Sequence, residues 1–395
     1  MSGTLLHRSV NVFGKIVFIP IMYFKYRYKF EKVNYRNGNF IALANHTTSY
    51  DSILVGMAFK QHMYFVAGEQ LFRLGLVTKL LKTFLAPIGR MKARTESRTA
   101  IDMLRTLKAG NNICMFPEGT CTWSGETAEV IQSTAKLIKK AGVALITYRV
   151  TGGYPSLPRW SKNPRRGMIE GKLAHIYTPE KLESMSVDDV YKVICEDLYV
   201  NANDIAAEVE FKGKDLAENL ETVLFACPKC QGISTLTSEG DVLSCTCGLK
   251  VKYDTHCRLH EMKGKGFTFK TVLEWDRWQR KWAKDHIAGL SGDINEVITQ
   301  DEGQRLYSFT ASDKTTLINS GTLILYYDRL VVHNEENGTE TVIMLKDITD
   351  MAIITRSTIS FSCLDKHYEI KCDNLRSALK YLMFCSNLKE MRVII

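Results

Sequence analysis

Phe40-Ile41-Ala42-Leu43-Ala44, running on into Asn45-His46-Thr47-Thr48-Ser49-Tyr50-Asp51, is the stretch whose reading decides the fold. Five consecutive apolar residues, with no polar alternation, read as a strand buried on both faces. That strand delivers Asn45 and His46 to its carboxyl end. Residues 50–59 then take up helical spacing, with Ile53, Leu54, Met57 and Ala58 apolar. Working outward, residues 63–67 read as a second strand and 71–85 as a helix ended by Pro87. Residues 97–109 are amphipathic through Ile101, Leu104 and Leu107. Residues 112–116 read as a strand, 128–141 as a helix and 144–150 as a strand. Strands alternating with helices predict an α/β domain through about residue 210.

A chain of 395 residues with 45% apolar content has room for two or three cored domains, which excludes wholesale disorder. The net charge of +9 is unevenly spread. Residues 1–36 carry Arg8, Lys15, Lys25, Arg27, Lys29, Lys32 and Arg36 against Glu31, seven cations less one anion, or +6. Such a segment suits an anionic surface, lipid or nucleic acid. Its neighbours choose lipid: residues 10–24 are largely apolar, and Lys25-Tyr26-Arg27-Tyr28-Lys29 mixes rings with cations as the headgroup layer favours. The apolar run, broken by Lys15 and Pro20, is short for a span. It fits a membrane-docking helix lying in one leaflet, or else a buried core helix. No small-residue cleavage site follows it, which argues against a signal peptide. The eleven cysteines are odd in number and partly paired at short spacing, which fits metal binding in a reducing compartment. The expected location is the cytoplasmic face of a membrane, peripheral or monotopic.

Acyl transfer from a thioester to a hydroxyl needs a neutral, oriented imidazole to take the hydroxyl proton. His46 supplies a base. On one helix, five residues would turn His46 and Asp51 about 140° apart. The pair therefore works only if His46 lies in the turn before the helix and points back over its first turn. Asp51 would then hold the far ring nitrogen and stabilise the imidazolium. An H-x4-D spacing is weak alone. Phe116-Pro117-Glu118-Gly119-Thr120 is far more specific, because no structural need explains Glu118 at the end of a strand. Between them lies Pro87-Ile88-Gly89-Arg90-Met91-Lys92-Ala93-Arg94, whose alternating cations fit either a phosphate ligand set, with Arg90 foremost, or a solvated edge.

Asn45-His46 through Asp51, then Arg90, then Phe116-Pro117-Glu118-Gly119-Thr120 together resemble the first three motifs of the glycerolipid acyltransferase family, which includes the 1-acylglycerol-3-phosphate acyltransferases. The resemblance covers about residues 10–200. It implies an α/β acyltransferase fold with an amino-terminal docking helix, His46 as general base and Asp51 as its partner. It also implies Arg90 as a ligand of the acceptor phosphate, and Glu118, Gly119 and Thr120 as acceptor-site residues. The co-substrate implied is acyl-CoA or acyl carrier protein, and the acceptor a lysophospholipid or lysophosphatidic acid. Three features depart from the family. The second motif is compressed between Gly89 and Arg90. The third continues Cys121-Thr122-Trp123-Ser124 where Arg is usual, which looks more like the lysophosphatidylcholine acyltransferases. The fourth, Leu145-Ile146-Thr147-Tyr148-Arg149-Val150, has no proline. Arg149, Arg159, Arg165 and Arg166 are the cations available to replace the missing one, although the last two fit a solvated loop equally.

Cys227-Pro228-Lys229-Cys230 and Cys245-Thr246-Cys247-Gly248 give C-x2-C and C-x-C pairs fourteen residues apart. Thiolates so placed on two turns of a hairpin close a tetrahedral zinc site, as in a zinc ribbon, with a structural role. Trp275, Trp278 and Trp282 at helical spacing suit packing against the ribbon or docking on a membrane. Short β runs from about residue 304 to 371 and a closing helix over 373–389 predict a small β-rich α+β module. By pattern it resembles a pleckstrin-homology-like or GRAM-like fold, with a lipid headgroup or a protein as its partner. The domains expected are 1–36, a docking segment; 37–210, the acyltransferase domain; 222–260, the ribbon; and 300–395, the β-rich module. A catalytically inactive scaffold that binds zinc and lipid is the alternative function. A nucleic-acid partner is not expected, since the positive charge sits beside apolar residues and not on the ribbon.

Overall fold

The computed structural model describes residues 2–68, 87–90, 96–264, 266–309, 315–364 and 366–393. It divides into two compact units: Met1–Arg159 with Pro164–Gly213 and Thr255–Cys257, and Trp160–Asn163 with Lys214–Asp254 and Arg258–Ile395.

The first unit opens with α1 (Ser2–Tyr26), a helix that continues through Pro20. Its outer side exposes Phe13, Ile16, Ile21 and Phe24, while Met22 and Tyr26 are buried against the body of the unit. Among the described residues no helix is long and apolar enough to cross a membrane. There follow β1 (Lys29–Phe30), β2 (Phe40–Ala44), α2 (Asp51–Ala58), β3 (Met63–Gly68), β4 (Ile88–Arg90), α3 (Glu96–Lys108), β5 (Asn112–Met115), α4 (Ser133–Ala141), β6 (Ala144–Thr151), β7 (Glu170–Tyr177), α5 (Pro179–Ser184), α6 (Val187–Leu198) and α7 (Ala202–Glu208). The seven strands form one sheet in the order β1-β7-β6-β2-β5-β3-β4. From β6 to β4 every neighbouring pair is parallel, and β7 turns antiparallel on β6. β2 is buried along its whole length between β5 and β6, as its unbroken apolar run requires. Two cores cover the sheet. Phe40, Ala42, Val55, Phe59 and Tyr148 lie in one, and Ile41, Leu43, Ile113, Ile138 and Ile194 in the other. The parallel strands carry their carboxyl ends to one edge, where a site is built from the loops that follow them.

One expectation changes. The helix read over 128–141 begins only at Ser133. The residues before it are held as loop, because the N–H of Ala128 donates to Glu118 and that of Ile131 to the carbonyl of Pro117. The helix expected at 71–85 lies outside the described residues, as do Lys92 and Arg94.

In the second unit, β8 (Leu236–Glu239), β9 (Val242–Cys245), β10 (Lys250–Tyr253) and β11 (Leu259–Glu261) form an antiparallel sheet. Helix α8 (Val272–Ala288) follows, then β12 (Val297–Phe309), β13 (Thr315–Tyr326), β14 (Arg329–His333), β15 (Glu340–Met344), β16 (Ile348–Ile354), β17 (Thr358–Cys363), β18 (Lys366–Cys372) and α9 (Ala378–Val393). The last seven strands form one antiparallel sheet in the order β15-β14-β13-β12-β18-β17-β16. β12 begins earlier than its pattern suggests, since its register shifts between Asp301 and Gln304, around Gly303 at φ +65°, and breaks the alternation. The cysteine hairpin and the β-rich module share this unit. Trp275 is fully buried and its indole N–H donates to the carbonyl of Ala226; Gln279 bonds to Phe225 and Val223. The hairpin thus packs its apolar residues on α8 and does not rest on metal alone.

Candidate active site

The carboxyl ends of β2, β5 and β6 meet because the three strands are adjacent and parallel. Asn45 fixes the first of them: its side-chain amide donates to the carbonyl of Val150 and accepts from the N–H of Val150, at 2.8 and 2.7 Å. His46 then lies in the connection ahead of α2, and its ring reaches back over the first turn of that helix. His46 Nδ1–H donates to Asp51 Oδ2 at 2.8 Å. The spacing alone would have turned the two apart on a continuous helix; the non-helical connection removes that problem.

Asp51 is fully buried and heavily bonded. Oδ2 also accepts the N–H groups of Thr47 and Thr48, and Oδ1 accepts both threonine hydroxyls at 3.0 Å. A carboxylate with so many donors is fixed in orientation. The bond to Nδ1 fixes the tautomer, so in the neutral ring Nε2 carries the lone pair.

The ring of Phe116 stacks on His46 with centroids 4.5 Å apart and planes 19° off parallel. Cys121 Sγ lies 3.5 Å from Nδ1 and 3.4 Å from Nε2. A sulfur nearly equidistant from both nitrogens in the ring plane would collide with the carbon between them. It must sit above the ring, on the face away from Phe116. The in-plane direction of Nε2 is not occupied by the thiol, and the His46 side chain keeps 22% of its surface exposed.

Glu118 holds the two loops together. Its Oε1 accepts the N–H of His46 at 2.5 Å, and its Oε2 the N–H of Ala128 at 2.6 Å. The N–H of Thr122 returns to the carbonyl of His46 at 3.0 Å. Burial raises the Glu118 carboxyl to about 7, against the two N–H donors and the charge of His46, which lower it. Burial also disfavours a charged His46 ring. Cys121 above it and the hydrogen bond to Asp51 outweigh that cost and lift the ring to about 10.

Of the residues the sequence singled out, His46, Asp51, Glu118, Gly119 and Thr120 come together. Gly119 closes the turn after β5, with φ +70° and its N–H on the carbonyl of Phe116. Thr120 Oγ1 accepts from Arg159 Nη1 at 2.7 Å. Arg90 ends β4, which pairs with β3 and not with β2 or β5. At about 4.8 Å per strand its backbone is about 14 Å from β2. Two residues gain a place that the sequence did not give them. Cys121 was read as a sign of acceptor type and turns out to touch the imidazole. Arg159, one of four candidate cations, stands over the Trp123 ring at 3.8 Å.

In the second unit the sulfurs of Cys227, Cys230, Cys245 and Cys247 all lie within 4.8 Å of one another. The pairs Cys227–Cys247 and Cys230–Cys245 are each 3.7 Å apart. The edge of a tetrahedron of thiolates around zinc, with Zn–S about 2.3 Å, is about 3.8 Å. Two of the sulfur pairs match that edge, and the set as a whole lies close enough to close on such an ion with shifts of about 1 Å or less.

Residues 25–151 match the family model described as Acyltransferase. Among solved structures, the chain is similar to the 1-acyl-sn-glycerophosphate (LPA) acyltransferase PlsC from Thermotoga maritima. Identity is 21%, the match covers 50% of this chain and 78% of that one, and the TM-score is 0.40. It is also similar to a chain of the 8S snRNP assembly intermediate, at 11% identity over 27% of this chain and 89% of that one, TM-score 0.20. A third likeness is to the C-terminal domain of an unknown protein from Leishmania infantum, at 11% identity over 29% and 97%, TM-score 0.17. No curated protein matches the chain.

Proposed function

We propose that the first unit is a glycerolipid O-acyltransferase. It moves a fatty acyl group from an acyl-CoA or acyl carrier protein thioester to the hydroxyl of a lysophospholipid or lysophosphatidic acid. The observation that carries the reading is the His46–Asp51 bond at the carboxyl edge of the sheet, inside the segment that matches the acyltransferase model. His46 Nε2 takes the proton of the acceptor hydroxyl as its oxygen attacks the thioester carbonyl. Asp51 holds the imidazolium so formed. The tetrahedral intermediate expels the thiolate of the carrier, which takes the proton back from His46, leaving ester and free thiol. Glu118, with both oxygens on backbone N–H groups, serves this chemistry by positioning His46.

The exposed apolar side of α1 supports docking on the cytoplasmic face of a membrane. So does an open groove of about 480 Å³, lined by apolar residues of α1 and β1 together with Lys29 and Lys32. In the second unit, Cys227, Cys230, Cys245 and Cys247 hold a structural zinc ion, in keeping with their spacing. Seven antiparallel strands followed by a terminal helix support a pleckstrin-homology-like module there, with a headgroup or protein partner.

The test is purified protein in vesicles with radiolabelled acyl-CoA and a mixture of lysolipids. Wild type should form labelled diacyl product, and His46→Ala should lower the rate by about 1,000-fold or more. Transfer by His46→Ala at the wild-type rate would falsify the mechanism.

A further inference from the structure

The bulge in β12 turns two polar side chains toward α9. In a regular strand, residues three apart face opposite sides, but the register shift between Asp301 and Gln304 brings both to the helix side. Asp301 meets Lys380, which is 0% exposed: Nζ lies 2.7 Å from Asp301 Oδ2 and donates to Ser234 Oγ at 2.5 Å. The Tyr381 hydroxyl donates to the same carboxylate oxygen at 2.7 Å. Gln304 meets Arg376, which is 5% exposed and differently placed. Its Nε donates to Gln304 Oε1 at 2.6 Å, and its Cζ stands 5.2 Å from the centroid of the Tyr381 ring. Nη1 and Nη2 are buried and have no hydrogen-bond partner among the described residues. Thr222 accepts from Ser377 through its carbonyl, and the carboxyl of the preceding Glu221 turns to Ser238.

We propose that Arg376 holds a small monovalent anion, of chloride's size, inside the β-rich module at the start of α9. Charge balance calls for it. The bonded set contains two cations, Arg376 and Lys380, and one carboxylate, Asp301, which Lys380 and Tyr381 take up. One positive charge is left over in the interior, where an uncompensated ion costs far more than a paired one. Water would satisfy the two nitrogens and leave that charge standing. The guanidinium sets its two outer amino groups side by side, a fork that converges on a single anion. The helix adds to the attraction: α9 runs 16 residues from Ala378, and its start is buried, with Ser377 4% and Ala378 0% exposed. Burial pulls the Lys380 ammonium below the ordinary lysine value; Asp301 opposes this and Arg376 adds to it. A negative charge beside Arg376 eases that repulsion. Gln304 and Tyr381, both 0% exposed, close two sides of the site, which suits a bare ion and not a headgroup that must trail its glycerol and chains outward.

The experiment heats the full chain and follows tryptophan emission, since Trp160, Trp275, Trp278 and Trp282, four of the five tryptophans, belong to the second unit. At constant sodium, replacing about 0.15 M gluconate with chloride should raise the melting temperature of wild type by about 4 °C. Arg376→Met removes the charge and keeps a stem of similar length. It should melt within about 1 °C of the same temperature in both salts, and in gluconate no lower than wild type. A wild type indifferent to the exchange would give the two nitrogens to water and overturn the inference. So would an Arg376→Met variant that responds to chloride as wild type does. A second measurement needs no variant: in crystals soaked in bromide, the anomalous difference map should show a peak within about 3.5 Å of Arg376 Nη1 or Nη2. A map with no peak there overturns the proposal, whatever bromide binds elsewhere.

Discussion

The imidazole of His46 has Nδ1–H on Asp51, one face on Phe116 and the other on Cys121, which leaves the Nε2 edge to meet a hydroxyl. Its charge state sets the working pH. A ring lifted to about 10 is mostly protonated at neutral pH. Since the neutral ring is the base, kcat/KM should climb with pH across the neutral range. The stability term runs the opposite way: a pKa raised above 6.5 contributes fully below pH 6.5 and is lost as pH rises toward 10. Cys121→Ala should move the rising limb of the pH–rate profile to lower pH, because the sulfur above the ring, which helps to raise it, is gone. A limb that stays put would assign the whole lift to Asp51. At this scale half of the site was legible before folding. The His46–Asp51 pair could be argued from five residues of spacing and a strand end. Cys121 could not, because nothing local says which way a loop 75 residues away will fold.

At the level of elements, the site depends on how closely the turn after β6 approaches the turn after β2. A Cβ on Gly153 would stand 2.1 Å from Thr47 Oγ1, and Gly152 takes φ +73° with its own Cβ position blocked by the carbonyl of Met168. Thr47 Oγ1 is one of the donors to Asp51. Gly153→Ala should therefore displace that hydroxyl, lower stability by about 1–3 kcal/mol and slow acyl transfer about tenfold without touching a reacting atom. A thermal melt and an initial-rate assay read both, and a variant with wild-type rate and melting temperature would show that the loops yield freely. Strands β2, β5 and β6 were legible because each is a short unbroken apolar run. The late start of α4 was not, since the residues before it have helical composition and are held as loop by Glu118 and by the carbonyl of Pro117. Glu118 itself looked free of structural duty in the sequence. Its two bonds to backbone N–H groups are visible only once the loops are folded.

Across the whole molecule, the chemistry and the cysteine cluster fall in different compact units. Removing the metal with a chelator, or substituting Cys245→Ser, should reduce zinc from about one ion per chain to about none and shift the emission of Trp275 and Trp282, which lie on the helix that packs on the hairpin. Acyl transfer should stay within about threefold of wild type if the ion is structural, and a collapse of activity on the folded first unit would place the metal in the reaction instead. The sequence by itself determined what is periodic or local: the apolar strands, the imidazole and carboxylate five residues apart, and the paired cysteines on one hairpin. The tertiary structure decided what is brought together from afar. Sheet order set the carboxyl ends of β2, β5 and β6 side by side, and so placed a thiol on the face of the imidazole and a guanidinium on the loop beside it. The physical reason is that backbone hydrogen bonds between strands are the same for every side chain. Which strands become neighbours is settled by the burial of whole faces, and no short stretch of sequence contains that information.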